Sequence, residues 1–329
     1  MIRSAAVLAA ALWLAGCGQP AAEQETRHRF MAMGTLVDVT VWGLPPAEAE
    51  AAAGAVEALF HDQHRAWDPW GDGALGRVNQ ALAAGETATL DDDLAALLAE
   101  AEALSVASGG LFNPALGELV RLWGFAREEA QPEAPPPAAA IAATLAEPIP
   151  QYDLGGFLKG VAVDRGIALL QERGIEHAIV NAGGDLRAIG RRGERAWRIG
   201  LRAPREPAVL AALETGDGEA VFTSGDYERW FEHQGRRYHH VLDPRTGYPT
   251  EGIVSATVVH RDAGRADAAA TALMVAGREA WPAVAVALGV EAVMVVYNDG
   301  GIELTEALRP RVRFMDEEHG RQARVRALP

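Results

Sequence analysis

The sequence predicts an α+β fold, a single domain of mostly antiparallel sheets with packed helices. From residue 197 onward, strand-like runs follow one another through short Gly, Asp and Asn turns, without the helical crossovers that a doubly wound sheet needs. Ala-rich helical stretches lie before and after those runs. With 329 residues and a 49% hydrophobic composition, the chain can bury a sizeable core.

In chain order, residues 30–41 contain the alternation Leu36-Val37-Asp38-Val39-Thr40-Val41 after Met33-Gly34-Thr35, which gives a strand entered from a glycine turn. An Ala/Glu helix is expected over 46–64, its start fixed by Pro45-Pro46. A second is expected over 91–108, with aspartates at its N-terminus and Gly109-Gly110 past its end. Residues 126–150 are rich in Ala, Pro and Glu and read as a mobile surface excursion within the domain. The motif DLGGFLKG (153–160) opens a helix running to about 173, where Gly174 supplies a left-handed cap. Strands follow at 175–180, 197–201, 220–224, 227–233, 238–242 and 255–260. Two helices over 265–275 and up to 288, then a strand over 292–297, complete the pattern.

The N-terminus is a separate matter. Residues 1–16 carry one charge, Arg3, and an apolar run too short to span a bilayer, which is the layout of a secretory signal. Leu14-Ala15-Gly16-Cys17 reads as a bacterial lipobox, with Cys17, the chain's sole cysteine, as the diacylated first residue of the mature protein. An ordinary signal peptide cut nearby is the alternative. Residues 17–29 are expected to be a flexible tether without fold, and 30–329 the domain. The expected location is the periplasmic side of a bacterial cell envelope, anchored to a membrane through lipid. A net charge of −15 disfavours nucleic acid or an anionic membrane surface as a partner, since both need Lys/Arg neutralisation.

Chemistry-bearing residues group at three places. In DLGGFLKG, two glycines precede a helix whose first turn carries Lys159; free amides and an ammonium suit a phosphate, and a tight turn with a surface lysine explains the motif equally well. Asp267 and Thr271 are one helical turn apart, and a carboxylate with a hydroxyl suits Mg²⁺, which takes few protein ligands alongside water and phosphate oxygens. Without a neighbouring phosphate site, the plainer explanation is a helix-start aspartate and a threonine bonded to its own backbone. Between 223 and 249, TSGDYERWFEHQGRRYHHVLDPRTGYP is too rich in polar groups to be turn chemistry alone. Within it His240 titrates nearest neutral pH and can act as a base, while alternation in a strand leaves His239 structural or exposed. His61 and His64 lack the further ligands of a zinc site.

Taken in order, MGT at Met33, LFNPALGELVRLWGF at Leu111, DLGGFLKGVAVDRG at Asp153, NAGGD at Asn181, TSGDYERWF at Thr223, HHVLDPRTGYP at His239 and ADAAATALMVAG at Ala266 resemble the ApbE family, the FAD:protein FMN transferases. The resemblance covers nearly the whole of 30–329. It implies an enzyme that cleaves the FAD pyrophosphate with Mg²⁺, transfers FMN to a threonine hydroxyl of an exported acceptor flavoprotein and releases AMP. It further implies that Asp267, Thr271 and the carbonyl of Gly156 hold Mg²⁺, and that Met33, Trp70, Leu111, Phe112, Asn113, Asp153, Lys159 and Val241 line the FAD site. His240, oriented by Asp243, is the expected base. Asn113 stands where the family often has Asp, Leu158 where a small residue is common, and WDPWGDGALGRVN (67–79) matches loosely. Two other functions remain open: an FAD pyrophosphatase using water as acceptor, and a lipid-anchored flavin-binding protein without activity.

Overall fold

The computed structural model describes residues 24–126, 132–148 and 150–329. The expected signal sequence and lipidation site, Cys17, lie outside the described residues. The chain opens on a hairpin of β1 (Glu25–Ala32) and β2 (Thr35–Trp42), turned at Met33-Gly34 with φ of 49° and 69°. Positive φ at both positions matches the right-handed twist of the strands. Helices α1 (Pro46–Trp67), α2 (Ala74–Ala83), α3 (Asp92–Ala107), α4 (Gly117–Leu122), α5 (Ala138–Ala146) and α6 (Leu158–Glu172) follow. A second hairpin, β3 (Ala178–Ala182) and β4 (Asp185–Ile189), turns at Gly183-Gly184. Next come β5 (Arg198–Arg202), β6 (Val209–Glu214), β7 (Glu219–Gly225), β8 (Trp230–His233), β9 (Arg236–His239) and β10 (Ile253–His260). The chain ends with α7 (Ala263–Ala287), β11 (Ala292–Tyr297), β12 (Ile302–Thr305), a 3₁₀ turn (Arg309–Arg311), β13 (Val312–Phe314), α8 (Glu317–Gln322) and β14 (Arg324–Arg326).

The main sheet has nine strands in the order β1-β2-β3-β4-β7-β10-β11-β12-β14, antiparallel except for β12 with β14. One face packs on α1, α6 and α7, joining Phe222, Ala256 and Val258 to Phe60, Ile167 and Leu273. The other face carries Leu186, Val221 and Val259 against Ile199, Leu201 and Leu213 of the small sheet β13-β6-β5. With both faces covered, β10 is buried from Ile253 to Val259, and Ser255 and Thr257 are its polar side chains before His260. Helix α7 breaks at Gly277 (φ 75°, ψ −179°), so the two helices expected over 265–288 are two arms of one bent element.

Two expectations are corrected. The tether to residue 29 is too long, because β1 begins at Glu25. Arg27 and Arg29 both donate to the buried carboxylate of Asp38 on β2, so charged residues on one face of a paired strand had read as unstructured chain. The excursion at 126–150 contains α5, whose Ile141 is 1% exposed against Trp123, Phe231 and Leu242. One buried isoleucine in nine Ala-rich residues gives little periodic signal, yet it anchors the helix.

Candidate active site

The site forms where the N-terminus of α6 passes the first arm of α7. Gly160 makes this approach possible, since a Cβ there would stand 2.2 Å from the carbonyl oxygen of Ala263. Four residues earlier, a Cβ on Gly156 would lie 3.0 Å from Thr271 Oγ1 and 3.7 Å from the Phe112 ring. The Gly160 amide donates to Asp267 Oδ2 at 3.1 Å. Gly156 thus stands against Thr271, and Asp267, one helical turn before Thr271 on α7, holds the Gly160 amide. The helix itself starts at Leu158 rather than 153, and the segment before it is a turn in which Asp153 Oδ1 accepts from the Gly155 amide. One amide at the start of α6 is thus committed to Asp267 and is not open to a phosphate.

Neither local explanation of the Asp267–Thr271 pair holds. Asp262, not Asp267, caps α7, accepting from the Arg265 amide at 2.8 Å. The Thr271 hydroxyl lies 3.1 Å from Ser224 Oγ on β7, so its partner is across the site. Asp267 is 6% exposed, and burial pushes its carboxyl well above the usual carboxylate range; Lys159 pulls it back and Asp185 pushes it further. A buried carboxylate, a hydroxyl and a carbonyl form an all-oxygen donor set that suits a hard divalent cation, whose charge would offset the desolvation of Asp267. Among the described residues no cluster of three or more His, Cys, Asp or Glu side chains has metal-holding geometry. A cation here would have one protein carboxylate, with water and substrate oxygens completing its shell.

Lys159 Nζ donates to Asp185 Oδ2 at 2.7 Å. Burial opposes its charge, but Asp185 and Asp267 outweigh that effect and hold the ammonium above its ordinary range. Asp185 was not among the expected site residues. Its place at the end of NAGGD, just past a two-glycine turn, was the available signal. Ser224, beside Thr271, was also missed.

The remaining expected residues sort as follows. Leu111, Phe112 and Asn113 form a loop strapped to Asp153, whose amide donates to the Pro114 carbonyl at 2.8 Å; Asn113 Oδ1 accepts from the Ala115 amide. Met33 comes to the same end of the sheet as Asp185, because the Gly183 amide donates to the Leu36 carbonyl beside the first hairpin turn. Val241 is buried in the main core and accepts from the Thr250 amide. Trp70 lies in a cleft of about 560 Å³ walled by Asn79, Gln80, Arg121 and Gln151, and Lys159, Asp267, Thr271 and His240 are not part of its lining. Asn79 ties that cleft to the segment entering Asp153 through both polar atoms, bonded to the Tyr152 amide and carbonyl.

His239 ends β9 as a structural residue: it is 5% exposed, donates from Nε2 to the Thr250 carbonyl at 2.8 Å and accepts on Nδ1 from the Val241 amide. His240 Nδ1 lies 3.3 Å from the Arg229 carbonyl, which accepts, so in the neutral ring Nε2 is left with its lone pair. Burial, with the charges of Arg229 and Lys159 nearby, holds its pKa well below the ordinary histidine value. The expected support from Asp243 is corrected. Asp243 accepts from Arg245 Nε at 2.9 Å, Nη2 at 2.7 Å and the Arg245 amide at 2.9 Å, and among the described residues it makes no hydrogen bond to His240. A guanidinium two residues away in a tight turn competes for the carboxylate more effectively than an imidazole three residues back.

The ApbE family model matches residues 33–294. The chain belongs to the ApbE family. It is 39% identical to an FAD:protein FMN transferase of Rhodobacter capsulatus over 95% of its own length, spanning 64% of that protein. It is 33% identical to an FAD:protein FMN transferase of Vibrio cholerae, covering 90% of this chain and 94% of that one. The fold matches the crystal structure of the ApbE protein of Thermotoga maritima with a TM-score of 0.79 at 31% identity, over 88% of this chain and 100% of the other. Family membership places these relatives' α+β architecture on the chain, in agreement with the sheets and helices above.

Proposed function

We propose that this protein is an FAD:protein FMN transferase that moves FMN from FAD to a threonine hydroxyl of an exported flavoprotein, releasing AMP. The observation that carries the reading is the convergence of Asp267, Thr271 and Gly156 next to the Lys159 ammonium, with family membership behind it. When bound through Asp267, Thr271 and the Gly156 carbonyl, Mg²⁺ would supply charge neutralisation to the pyrophosphate. Lys159 adds a half-buried positive charge that its carboxylate neighbours keep protonated, and phosphoryl transfer depends chiefly on such charge and on in-line positioning. His240 accepts the threonine proton on Nε2, its ring oriented by the Arg229 carbonyl. The threonine oxygen forms its bond to the FMN phosphorus as the bond from that phosphorus to the bridging oxygen breaks, and the bridging oxygen leaves with AMP. The loop at Leu111, Phe112 and Asn113, with Asp153, Met33 and Val241, supplies the apolar and polar walls for FAD, and Trp70 an outlying one. Lipidation at Cys17 would hold the enzyme to a membrane on the periplasmic side, where an exported acceptor is met.

The test incubates residues 18–329 with FAD, Mg²⁺ and a candidate exported flavoprotein. Covalent flavin fluorescence on the acceptor together with free AMP is expected. AMP without labelled acceptor replaces transfer with hydrolysis, and bound FAD with neither product reduces the protein to a carrier.

A further inference from the structure

We infer that Asp185 is a positioning residue that sets where the Lys159 ammonium stands when the pyrophosphate arrives, an inference that rests on the transferase reading. Asp185 is 6% exposed and opens β4 immediately after the Gly183-Gly184 turn. Its Oδ2 accepts from Lys159 Nζ at 2.7 Å and its Oδ1 from the Thr223 amide at 2.8 Å. Thr223 lies on β7, the strand beside β4, so the main sheet itself fixes the carboxylate.

Lysine carries its charge on a flexible stem, and another anion is within electrostatic reach, the buried carboxylate of Asp267. Left to that attraction alone, the ammonium would fold onto Asp267 and take the oxygen that the cation needs. Asp185 draws Nζ to the sheet side and uses one of its three N–H donors, leaving two for phosphate oxygens. The same carboxylate keeps Lys159 paired once a cation has neutralised Asp267. Among the described residues Asp185 makes no hydrogen bond to Asp267 or Thr271; its charge reaches Asp267, and its contact with the site is Lys159.

The experiment compares the parent with D185N, K159A and K159A/D185N. Three readouts are AMP release at saturating Mg²⁺ and acceptor, FAD affinity by flavin fluorescence in chelator, and the acylation rate of Lys159 by acetic anhydride at saturating Mg²⁺, so that Asp267 is occupied, followed by mass spectrometry. For D185N, kcat is expected to fall about 10- to 100-fold with FAD affinity within about threefold of the parent, and Lys159 to acylate at least about fivefold faster. In the K159A background, the same substitution is expected to change kcat by less than about threefold. A tenfold further loss there, an unchanged acylation rate, or FAD affinity falling in step with kcat would overturn the inference. Should D185N strand the ammonium and unfold, K159A/D185N removes both charges, and its comparison with K159A decides. A parent that releases no AMP would end the transferase reading, while the acylation rate would still judge the pairing.

Discussion

Replacing Asp243 with asparagine separates a turn anchor from a partner of the base. The carboxylate is 8% exposed and receives the Arg245 amide, Nε and Nη2, while Arg245 Nη2 also reaches the Val275 carbonyl on α7 at 3.0 Å. The loop between His239 and Pro249 is thereby fastened to the helix that carries Asp267. Charge-assisted hydrogen bonds contribute about 1.5–3 kcal/mol each when buried. The Arg245 side chain is 59% exposed, so solvent screening reduces the ionic part to roughly 0–1 kcal/mol. Asparagine keeps one acceptor for the Arg245 amide. The net loss is then about 1–2 kcal/mol, or a Tm lowered by roughly 1.5–3 °C in a protein of this size. Calorimetry measures that shift, and a pH–rate profile of transfer on the same protein should keep the parent's shape. An unchanged Tm with transfer lost as completely as in H240A would refute the reasoning and return Asp243 to the base.

Three further outcomes follow from the same geometry. Asp267→Ala should raise the Mg²⁺ concentration needed for half-maximal AMP release by at least about tenfold, as loss of its one carboxylate requires; an unshifted titration removes the ligand assignment. Gly160→Ala should cost about 3 kcal/mol or more in urea unfolding, because the new Cβ meets Ala263 backbone that cannot swing away; near-parental stability would show that α6 and α7 can part. His240, with its folded pKa depressed, stays neutral at pH 7 and down past its unfolded value of about 6.5. Transfer should therefore hold its rate at pH 6, and the stability His240 contributes is present above about 6.5 and lost as pH falls toward its folded pKa. Rate loss with a midpoint near 6.5 would contradict its burial.

Much of this fold was legible because its signals are local. Gly174 ends α6 with φ 76°, Asp91 caps α3 through the Leu94 amide, and Gly277 divides α7 where two helices were expected. The Asp267–Thr271 pair could be read from helical spacing; of its two alternatives one fails on the cap that Asp262 gives α7, the other on Ser224 of β7. What escaped was set by pairing across the chain. Lys159 and Asp185 are separated by a helix and a strand, and nothing in either motif names the other. The polar face of β1 is explained by Asp38 on a neighbouring strand, and α5 by a cluster drawn from Trp123, Phe231 and Leu242. Asp243 was misjudged because proximity in sequence to His240 says nothing of which neighbour wins a carboxylate in a turn. The motif near Trp70 matches its family loosely, and that residue lies in a cleft whose lining does not include Lys159 or Asp267.

The proposed reaction couples cleavage of FAD to attachment of FMN in one protein. The most direct measurement is the ratio of AMP released to flavin fixed on acceptor threonine, obtained by chromatography of AMP and intact-mass analysis of the acceptor in one reaction. A ratio of about one, with the added mass of FMN mapped to a single threonine and abolished in Asp267→Ala, is the predicted result. AMP formed in large excess over labelled threonine, or equally fast without acceptor, would contradict it.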